Sequence, residues 1–555
     1  MNMMEGAHLT TRRCRYVHCL SLVVLAWWLA SCESHDWPTY RHDTSRNADQ
    51  HHDGAVSDPA RVPTLHTVWD FHPALAGDPD AQFSASATVY DDRVLVGNLN
   101  GRFYALKAAT GAFLWKFPPD GQPRLLSQFL GNPSGPGIAS SGAIARFWAP
   151  WFWFLKRRVT AVIFGAPDPT TCLGAPPVCG SGRLWALDIH TGALIWKSDV
   201  IARLDGLTFD TNPPPGFAEH HERIGYSSPV VHRHRVYVGV ADDGDSPIQS
   251  GKLVAVDLRT GHIVPSFNFQ SSGPPRGGGI WSSPVFHEHR LFVTTGNGCT
   301  PSDGNCSSEP PNNHALSMLS LNPANGAIIW SEQPVPWSLD ADPDWAGTPV
   351  VTETTCGTLA VGTMKDGWTH AFDAHTGAVR WSFPFVVGGL PFSYANHGDN
   401  GYTRPVAAWR DTIITVTGGL PVTSNIADGY DRLYSLEACA SYNSADKGRI
   451  RWIADVPGLD YTGQPTITDG IVYIGNNQGK LFAIADPEVS PAAGQRCSMP
   501  GVANAACVAS GFELVANPAI LATVPLSGGI RTEPVLAEGR VYVGTDGGHL
   551  YALEP

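Results

Sequence analysis

The fold is decided by a stretch that recurs along the chain, as FYALKAATGAFLW at residues 103–115 and LWALDIHTGALIW at residues 184–196. Each copy contains a strand-like run, a Thr-Gly turn and a second run that ends in Trp. Glycine accepts the positive φ that a tight turn requires. The Trp follows the Gly by four residues, on a strand from which its ring can pack against the next unit. One such unit cannot bury both of its faces alone, so neighbouring units must stack.

The same turn recurs through most of the chain. It is found at Thr110-Gly111, Thr191-Gly192, Thr260-Gly261, Asn325-Gly326, Thr376-Gly377 and Lys447-Gly448. Five of these six turns are followed by Trp, namely Trp115, Trp196, Trp330, Trp381 and Trp452, and the third is followed by Phe267. Two weaker copies cover residues 471–484 and 541–553. Eight copies predict an all-β, eight-bladed β-propeller of four-stranded antiparallel blades.

The last copy stops at Pro555, before its Trp-bearing strand. A run of the right character, Thr67–Phe71, precedes the first complete copy and contains Trp69. We therefore predict that this N-terminal strand closes the ring, because closure removes the exposed edges of the sheets. The predicted organisation is a signal peptide at 1–31, a linker at 32–60 and a propeller at 61–555.

The first residues have the character of an export signal. Arg12, Arg13 and Arg15 precede a short apolar run over 20–30, which is too short to span a bilayer comfortably. The run ends in Leu-Ala-Ser-Cys, which matches a bacterial lipoprotein cleavage box with Cys32 as the acylated residue. The alternative is an ordinary signal peptide cleaved near Ser31. We expect a periplasmic protein of a Gram-negative bacterium that is anchored to a membrane by a lipid on Cys32.

Cysteine spacing and charge agree with export. Eight cysteines remain after Cys14, Cys19 and Cys32 are set aside, and three short-loop pairs are typical of disulfides in an oxidising compartment. These pairs are Cys172 with Cys179, Cys299 with Cys306 and Cys497 with Cys507, which leaves Cys356 and Cys439 for each other by elimination. No Cys-x-x-Cys-His motif for covalent haem occurs. The net charge of −13 argues against a nucleic-acid partner.

The repeats, together with the segment DWPTYRHD at residues 36–43, resemble the PQQ-binding-like β-propeller superfamily. Within it the chain is most similar to polyvinyl alcohol dehydrogenase-type quinoproteins, and the resemblance covers residues 36–555. It implies that pyrroloquinoline quinone (PQQ) and Ca²⁺ are cofactors and that the substrate is a primary or secondary alcohol, polymeric alcohols included. Without haem in the chain, electrons would pass to a soluble cytochrome c or another external acceptor.

The resemblance also implies roles for individual residues. Trp281 would form the floor beneath the cofactor, and Asn297 would supply an amide oxygen to the metal and contact the cofactor. Asp344 would be the catalytic base and a neighbour of the metal, with Asp342 as the alternative. Lys365 would hydrogen-bond the quinone oxygens and stabilise negative charge on the reduced cofactor.

The chain departs from the family pattern in three places. Where the family has a metal-binding Glu in the third repeat, this chain has Asp243 and Asp245, which are the candidate ligands there. The adjacent Cys-Cys pair of many methanol and ethanol dehydrogenases is missing, and so is the acidic residue expected near Ser84. A rival interpretation is therefore a non-catalytic lipoprotein scaffold, resembling the propeller of the outer-membrane assembly machinery. A polysaccharide-binding propeller is a third.

One segment fits none of these patterns. Residues 147–155 read FWAPWFWFL and precede Lys156, Arg157 and Arg158. Such an aromatic run is consistent with a buried strand, with a membrane-surface patch or with a wall of the substrate funnel.

Overall fold

Eight antiparallel sheets follow one another along the described chain and confirm the predicted eight-bladed propeller. The computed structural model describes residues 35–51, 53–126, 137–152, 155–173, 178–202, 222–224, 226–242, 251–271, 278–298, 313–335, 344–345, 347–365, 368–384, 386–387, 390–391, 405–417, 432–440, 449–459, 463–487, 494–497, 503–507, 509 and 513–555. Residues Asp36–Pro555 form one unit.

Each of blades 1 to 4 is built from four consecutive main strands. The strands of blade 1 are Thr88–Val89, Arg93–Gly97, Phe103–Lys107 and Phe113–Phe117. Those of blade 2 are Ala143–Phe152, Leu155–Pro167, Gly182–Asp188 and Leu194–Lys197. Those of blade 3 are Val230–His232, Arg235–Asp242, Lys252–Asp257 and Phe269–Gln270, with Glu222–Arg223 added beside the second. Those of blade 4 are Val285–His287, Arg290–Thr294, Met318–Leu321 and Ile328–Glu332.

Blades 5 to 8 repeat the plan with additions. Blade 5 contains Val350–Thr354, Gly357–Met364, Trp368–Asp373 and Val379–Pro384. Blade 6 contains Ala407–Trp409, Thr412–Thr417, Arg432–Glu437 and Ile450–Asp455, extended by Leu514–Asn517 and Gly494–Cys497. Blade 7 contains Thr466–Thr468, Ile471–Gly475, Lys480–Ala485 and Ile520–Pro525. Blade 8 contains Val535–Ala537, Arg540–Gly544, Leu550–Glu554 and, from the N-terminal part of the chain, His66–Phe71.

Short elements make up the rest of the described secondary structure. Two small hairpins pair Cys172–Leu173 with Val178–Cys179 and Val386–Val387 with Leu390–Pro391. The helices are the 3₁₀ turns Gly54–Ser57, Val62–Thr64 and Pro73–Ala76 and the α-helical turn Asn504–Cys507. None of the described helices has the length and apolar character needed to cross a bilayer.

The first strand of each blade is the innermost, since first strands of successive blades contact one another from blade 2 to blade 7. We call the side of the ring where first strands begin the top face. The side where first and second strands are joined by hairpins, for example at His232–Arg235, is the bottom face. The Thr-Gly turns between third and fourth strands also lie on the bottom face, because antiparallel connections alternate between the two sides.

The repeated Trp packs against the next blade, as its position predicted. Trp115 donates a hydrogen bond from Nε1 to the carbonyl oxygen of Ile189 at 3.0 Å, just before the Thr-Gly turn of blade 2. A Cβ on Gly192 would lie 2.6 Å from Cε3 of the Trp115 ring, so only Gly fits there. The same bond joins other blades, from Trp196 to Leu258, from Trp330 to Ala374 and from Trp381 to Ala438.

An acidic residue completes several of these turns. In blade 5, Asp373 Oδ1 accepts hydrogen bonds from the backbone N–H groups of His375 and Thr376 and from the Thr376 hydroxyl. Partial burial acts to raise the pKa of Asp373, but Arg380 and the Thr376 groups outweigh it and lower this pKa to about 2. Asp188 and Asp257 bind their own turns in the same way. The carboxylate therefore fixes the turn on which the preceding blade's Trp rests.

His66–Phe71 is the outermost strand of blade 8. It pairs antiparallel with Leu550–Glu554, and Trp69 donates a hydrogen bond to the carbonyl oxygen of Ala108 in blade 1 at 2.9 Å. A Cβ on Gly111 would lie 2.7 Å from the Trp69 ring. This strand thus has the contacts that the Trp strands of other blades have. How far ring closure depends on it is treated below as a prediction about stability.

Residues 36–51 were predicted to belong to a linker, but the structure packs them against the first strands of the ring. This segment, which we call the collar, makes hydrogen bonds with all eight blades. The bonded pairs, from blade 1 to blade 8, are Trp37 with Val89, Pro38 with Ile144, Arg46 with Pro229, Thr44 with Phe286, Ser45 with Val351, Asn47 with Ala408, Ala48 with Ile467 and Arg41 with Glu533. This role could not be predicted from the sequence, because the collar has no strand periodicity and its partners are spread over the whole chain.

Charged side chains of the collar are buried at the centre of the ring, against the residues that precede several first strands. Arg41 and Arg46 are fully buried, and Arg41 forms an ion pair with Glu533 at 3.5 Å. Burial lowers the pKa of Arg46 to about 10, so this residue stays cationic at neutral pH. Burial raises the pKa of Glu533, and Arg41 opposes that shift. Carbonyl oxygens of Pro229 and Val406 accept further hydrogen bonds from the two guanidinium groups.

Two of the predicted disulfides are present in the described residues. Cys356 in a hairpin of blade 5 bonds Cys439 of blade 6, and Cys497 bonds Cys507. Cys172 and Cys179 lie opposite each other in their small hairpin. Cys299 and Cys306 lie outside the described residues, as do Cys14, Cys19 and Cys32.

The first prediction separates Trp docking from backbone strain. Gly192→Ala places a Cβ against the Trp115 ring at a φ of +69°, whereas Gly77→Ala creates the same strain at a φ of +77° with nothing within 4 Å. Left-handed strain alone costs about 1–2 kcal/mol. We expect Gly77→Ala to lower the free energy of unfolding by that amount and Gly192→Ala to lower it by about 1–3 kcal/mol more. Denaturant titrations measure both, and equal losses would contradict the docking model.

The second prediction concerns closure of the ring. Trp69→Ala removes the ring beneath Gly111 and the bond to Ala108. We expect a loss of about 3–5 kcal/mol, similar to that of Trp330→Ala in the uninterrupted blade 4. Thermal or denaturant unfolding of both variants gives the comparison. If Trp69→Ala costs much less than Trp330→Ala, the N-terminal strand does not close the ring in the way proposed.

Candidate functional site

Asp344 lies at the centre of a buried polar cluster on the top face. It precedes the first strand of blade 5 and is 3% exposed. Its Oδ1 accepts a hydrogen bond from the backbone N–H of Asn297 at 2.5 Å, and its Oδ2 accepts one from Lys365 Nζ at 3.1 Å. The two bonds fix the orientation of the Asp344 carboxyl group. Three of the residues singled out from the sequence therefore meet at one carboxylate.

The backbone holds Lys365 beside Asp344 as well. Lys365 follows the second strand of blade 5, and its N–H donates to the carbonyl oxygen of Asp344 at 3.1 Å. The Lys365 side chain is 16% exposed and that of Asp344 is 5% exposed. Because water is mostly excluded, this ion pair is stronger than a surface pair would be.

Trp281 lies against the same cluster. A Cβ on Gly296 would lie 2.8 Å from Asp344 Oδ1 and 3.3 Å from Trp281 Cδ1. A Cβ on Gly279 would lie 3.3 Å from Trp281 Nε1. The two glycines thus leave the space through which the indole ring and the carboxylate approach the backbone of blade 4. Trp281 itself is half-buried, immediately before the first strand of that blade.

Two segments of blade 4 form the framework of this site. Gly296 N–H donates to the carbonyl oxygen of Gly279 at 2.8 Å, and Gly278 N–H donates to that of Asn297 at 2.6 Å. The amide side chain of Asn297 therefore starts from a backbone position fixed on one side by Gly278 and on the other by Asp344. This arrangement matches the order Gly-Gly-Gly-Ile-Trp and Thr-Gly-Asn that the sequence contains at 277–281 and 295–297.

Sequence reasoning missed two neighbours of the cluster. Trp345 is fully buried beneath Gly362, where a Cβ would lie 2.9 Å from Trp345 Nε1, and its ring faces His370.

In blade 3, Glu222 is 1% exposed and forms an ion pair with Lys252. Gly251, next to Lys252, lies directly against the Gly278 backbone, so this pair adjoins the blade 4 segments. Only the aromatic residue beside Asp344 gave a sequence signal, because Glu222 and Lys252 are thirty residues apart.

Two candidate metal ligands, Asp243 and Asp245, lie outside the described residues, as does the alternative base Asp342. The structure therefore groups Trp281, Asn297, Asp344 and Lys365 and gives no geometry for the other three.

Comparison with known proteins agrees with the architecture. The PQQ_2 family model, described as outer membrane protein assembly factor BamB, matches residues 317–486. The chain resembles the quinohemoprotein alcohol dehydrogenase from Comamonas testosteroni with a TM-score of 0.65 and 16% identity, over 94% of this chain and 80% of that one. It resembles a europium-containing methanol dehydrogenase with a TM-score of 0.65 and 15% identity, over 94% and 99% of the two chains. These matches and the fold support assignment of the chain to the PQQ-like β-propeller superfamily.

Among curated proteins the similarity is to polyvinylalcohol dehydrogenases. One from Pseudomonas sp. is 24% identical over 413 residues, which cover 67% of this chain and 55% of the relative. One from Sphingopyxis sp. (strain 113P3) is 24% identical over 299 residues, which cover 50% of this chain and 36% of the relative. The chain thus spans about half the length of these relatives or less.

The third prediction tests the coupling of Lys365 to Asp344. Lys365→Met removes the ammonium from a mostly buried carboxylate, and we expect the free energy of unfolding at pH 7 to fall by about 3 kcal/mol, the lower end for a buried pair. Asp344→Asn combined with Lys365→Met should recover a large part of this loss, because no unpaired charge is then buried. Denaturant titration of the two single variants and the double variant gives the coupling energy. Additive losses would show that the two side chains do not interact energetically.

Proposed function

We propose that this protein is a PQQ-dependent alcohol dehydrogenase that oxidises primary or secondary alcohols, polymeric alcohols included. The observation that carries the proposal is the buried Asp344 carboxylate beside Trp281, with Lys365 on one oxygen and the Asn297 backbone on the other. An ionised carboxylate with little exposure to water is the group that alcohol oxidation needs as a general base.

The residues of the site fit a flat anionic cofactor and a hard cation. Trp281 is half-buried at the top face, and its indole would offer a stacking surface. Asp344 and the amide oxygen of Asn297 are the oxygen ligands that Ca²⁺ prefers. When bound, PQQ with Ca²⁺ supplies an electrophilic carbonyl that accepts hydride from the alcohol carbon. Lys365 contributes a positive charge that stabilises the anionic form of such a group.

Asp344 takes the hydroxyl proton in this proposal. Its hydrogen bonds to Asn297 and Lys365 orient the carboxylate toward one side of the cluster, and its burial excludes competing water. Lys365 pairs with the Asp344 carboxylate and holds it in position. Asp342 is the alternative base, and Asp243 and Asp245 are proposed as further metal ligands.

The proposed partners and location rest on the sequence. Electrons leave to a soluble cytochrome c or another external acceptor, since the chain has no covalent haem motif. The protein is proposed to act in the periplasm of a Gram-negative bacterium, attached to a membrane by a lipid on Cys32. The disulfide between Cys356 and Cys439 is compatible with that oxidising compartment.

A second candidate is a non-catalytic lipoprotein scaffold. The observation that favours it is the description of the family model that matches residues 317–486, which names an outer-membrane assembly factor. A scaffold does not require a buried carboxylate, a lysine and a half-exposed Trp to converge on the top face. The polar cluster therefore favours the enzyme over the scaffold.

The fourth prediction is the test of the proposed activity. Asp344→Asn should lower alcohol-dependent dye reduction by about 10²- to 10⁴-fold, because Asn cannot accept the substrate proton, while PQQ binding is largely retained. Trp281→Ala should instead weaken PQQ binding, because the stacking surface is lost. Calorimetry with PQQ and Ca²⁺ measures binding, and dye reduction with a panel of alcohols that includes polyvinyl alcohol measures the rate.

Asp91→Asn on the bottom face serves as the matched control, since Asp91 is exposed and remote from the top-face cluster. A wild-type protein that neither binds PQQ nor oxidises any alcohol of the panel would reject the enzyme and leave the scaffold. If PQQ binds and Asp344→Asn leaves the rate unchanged, only the assignment of the base is wrong, and Asp342 becomes the base to test.

A further inference from the structure

Blade 2 has a feature that the other blades lack in the described residues: its first hairpin is much longer. Strands Ala143–Phe152 and Leu155–Pro167 pair as far as Phe152 with Leu155. The third strand, Gly182–Asp188, pairs only with residues 161–167. The remainder, residues 146–152 with 155–160, is a two-stranded extension that we call the ribbon. Six to seven residues per strand at about 3.3 Å each give the ribbon a length of roughly 20 Å.

The two sides of the ribbon differ in burial. Phe147, Ala149 and Val159 are buried and belong to an apolar cluster shared with blade 3. Trp148, on the opposite side, is 54% exposed, and Arg146 beside it is exposed as well. A large exposed indole on a well-formed strand indicates a surface that a partner covers.

Cationic side chains lie close to the exposed Trp148 on the ribbon. The strand that contains Trp148 continues through Trp151 and Phe152 toward the end of the hairpin. Lys156, Arg157 and Arg158 on the returning strand are exposed, and Arg158 pairs in register with Trp148. Lys156, opposite Pro150, lies farther out along the hairpin than Trp148, so cations surround the exposed indole. An exposed Trp among cations is typical of proteins that lie on bilayers, where rings enter the interface and cations meet phosphates.

Other cations lie on the same face. The ribbon is a first-to-second-strand hairpin and so leaves from the bottom face. There, the equivalent turns of blades 3 and 4 carry Arg233, Arg235 and Arg290, with Glu288 as the one carboxylate, around a groove of about 600 Å³. These cations stand out in a chain whose net charge is −13. The ring unit also begins on this face, where Trp37 pairs with Val89 at the blade 1 hairpin.

We propose that the bottom face docks on an anionic phospholipid bilayer through the ribbon. Trp148 enters the interfacial region, and Lys156, Arg157 and Arg158 bind the phosphate groups. The proposal rests neither on acylation of Cys32 nor on the enzymatic activity. The candidate site lies on the opposite face, so docking leaves it open to the aqueous side.

The fifth prediction is a vesicle-binding test on the chain from Glu33 to Pro555, which keeps the whole unit that begins at Asp36 and has no acylation site. The protein should cosediment with vesicles containing phosphatidylglycerol, and binding should weaken as salt rises. Lys156→Gln, Arg157→Gln and Arg158→Gln combined should reduce partitioning to these vesicles by about 10- to 100-fold. Trp148→Ser should reduce it about tenfold on all vesicles.

Val379→Ser with Ile520→Ser is the matched control, because both residues are exposed and apolar but lie on outer strands of other blades. The charge variant keeps the proposal testable if the Trp variant fails to fold, since its three positions are exposed. The proposal is overturned if wild type binds no vesicles, or if ribbon and control variants bind equally. A concentration-dependent dimer in sedimentation that the Trp148 change abolishes would identify a second copy as the occupant and also overturn it.

Discussion

The structure depends on the contact between the Trp at the end of a blade and the Thr-Gly turn of the next blade, which the described residues show for blades 1, 2, 4 and 8. The indole ring occupies the space that a Cβ would need at Gly192, and its N–H binds the carbonyl oxygen that precedes the turn. The contact is directional because it joins one fourth strand to one particular turn. Repeated around the chain, it sets the angle between blades and so the positions of their first strands. Where an insertion replaces the turn after blade 7's third strand, Trp452 packs beside the added strand at Ala516 instead.

The candidate site is a consequence of that geometry. Asp344 belongs to blade 5 and Asn297 to blade 4, yet the N–H of one binds the carboxylate of the other directly. Trp330, at the end of blade 4, holds the two blades together through Ala374. A rotation between these blades of even a few degrees would move the carboxylate from its donor. Inter-blade docking on the bottom face therefore determines hydrogen-bond distances on the top face.

The repeat could be read from sequence because every part of it is local. A Gly and a Trp four residues apart report both the turn and the docking surface, and no distant residue is needed to recognise them. The roles of Trp281, Asn297, Asp344 and Lys365 came from family resemblance, since nothing local marks a carboxylate that receives a lysine from the far end of a neighbouring strand. The collar could not be read at all. Arg41 and Glu533 are 492 residues apart, and only the closed ring brings them into contact.

The collar also shows how charge can be buried at the centre of the ring. Arg41 and Arg46 place two cations there, and backbone carbonyl oxygens and Glu533 satisfy them. Charged groups of this kind are costly to bury unless their donors are paired, so the collar and the first strands depend on each other. In the candidate site, glycines at 279 and 296 leave space in place of side chains. The ring thus buries charge where the collar satisfies it and leaves space where Trp281 and Asp344 approach the backbone of blade 4.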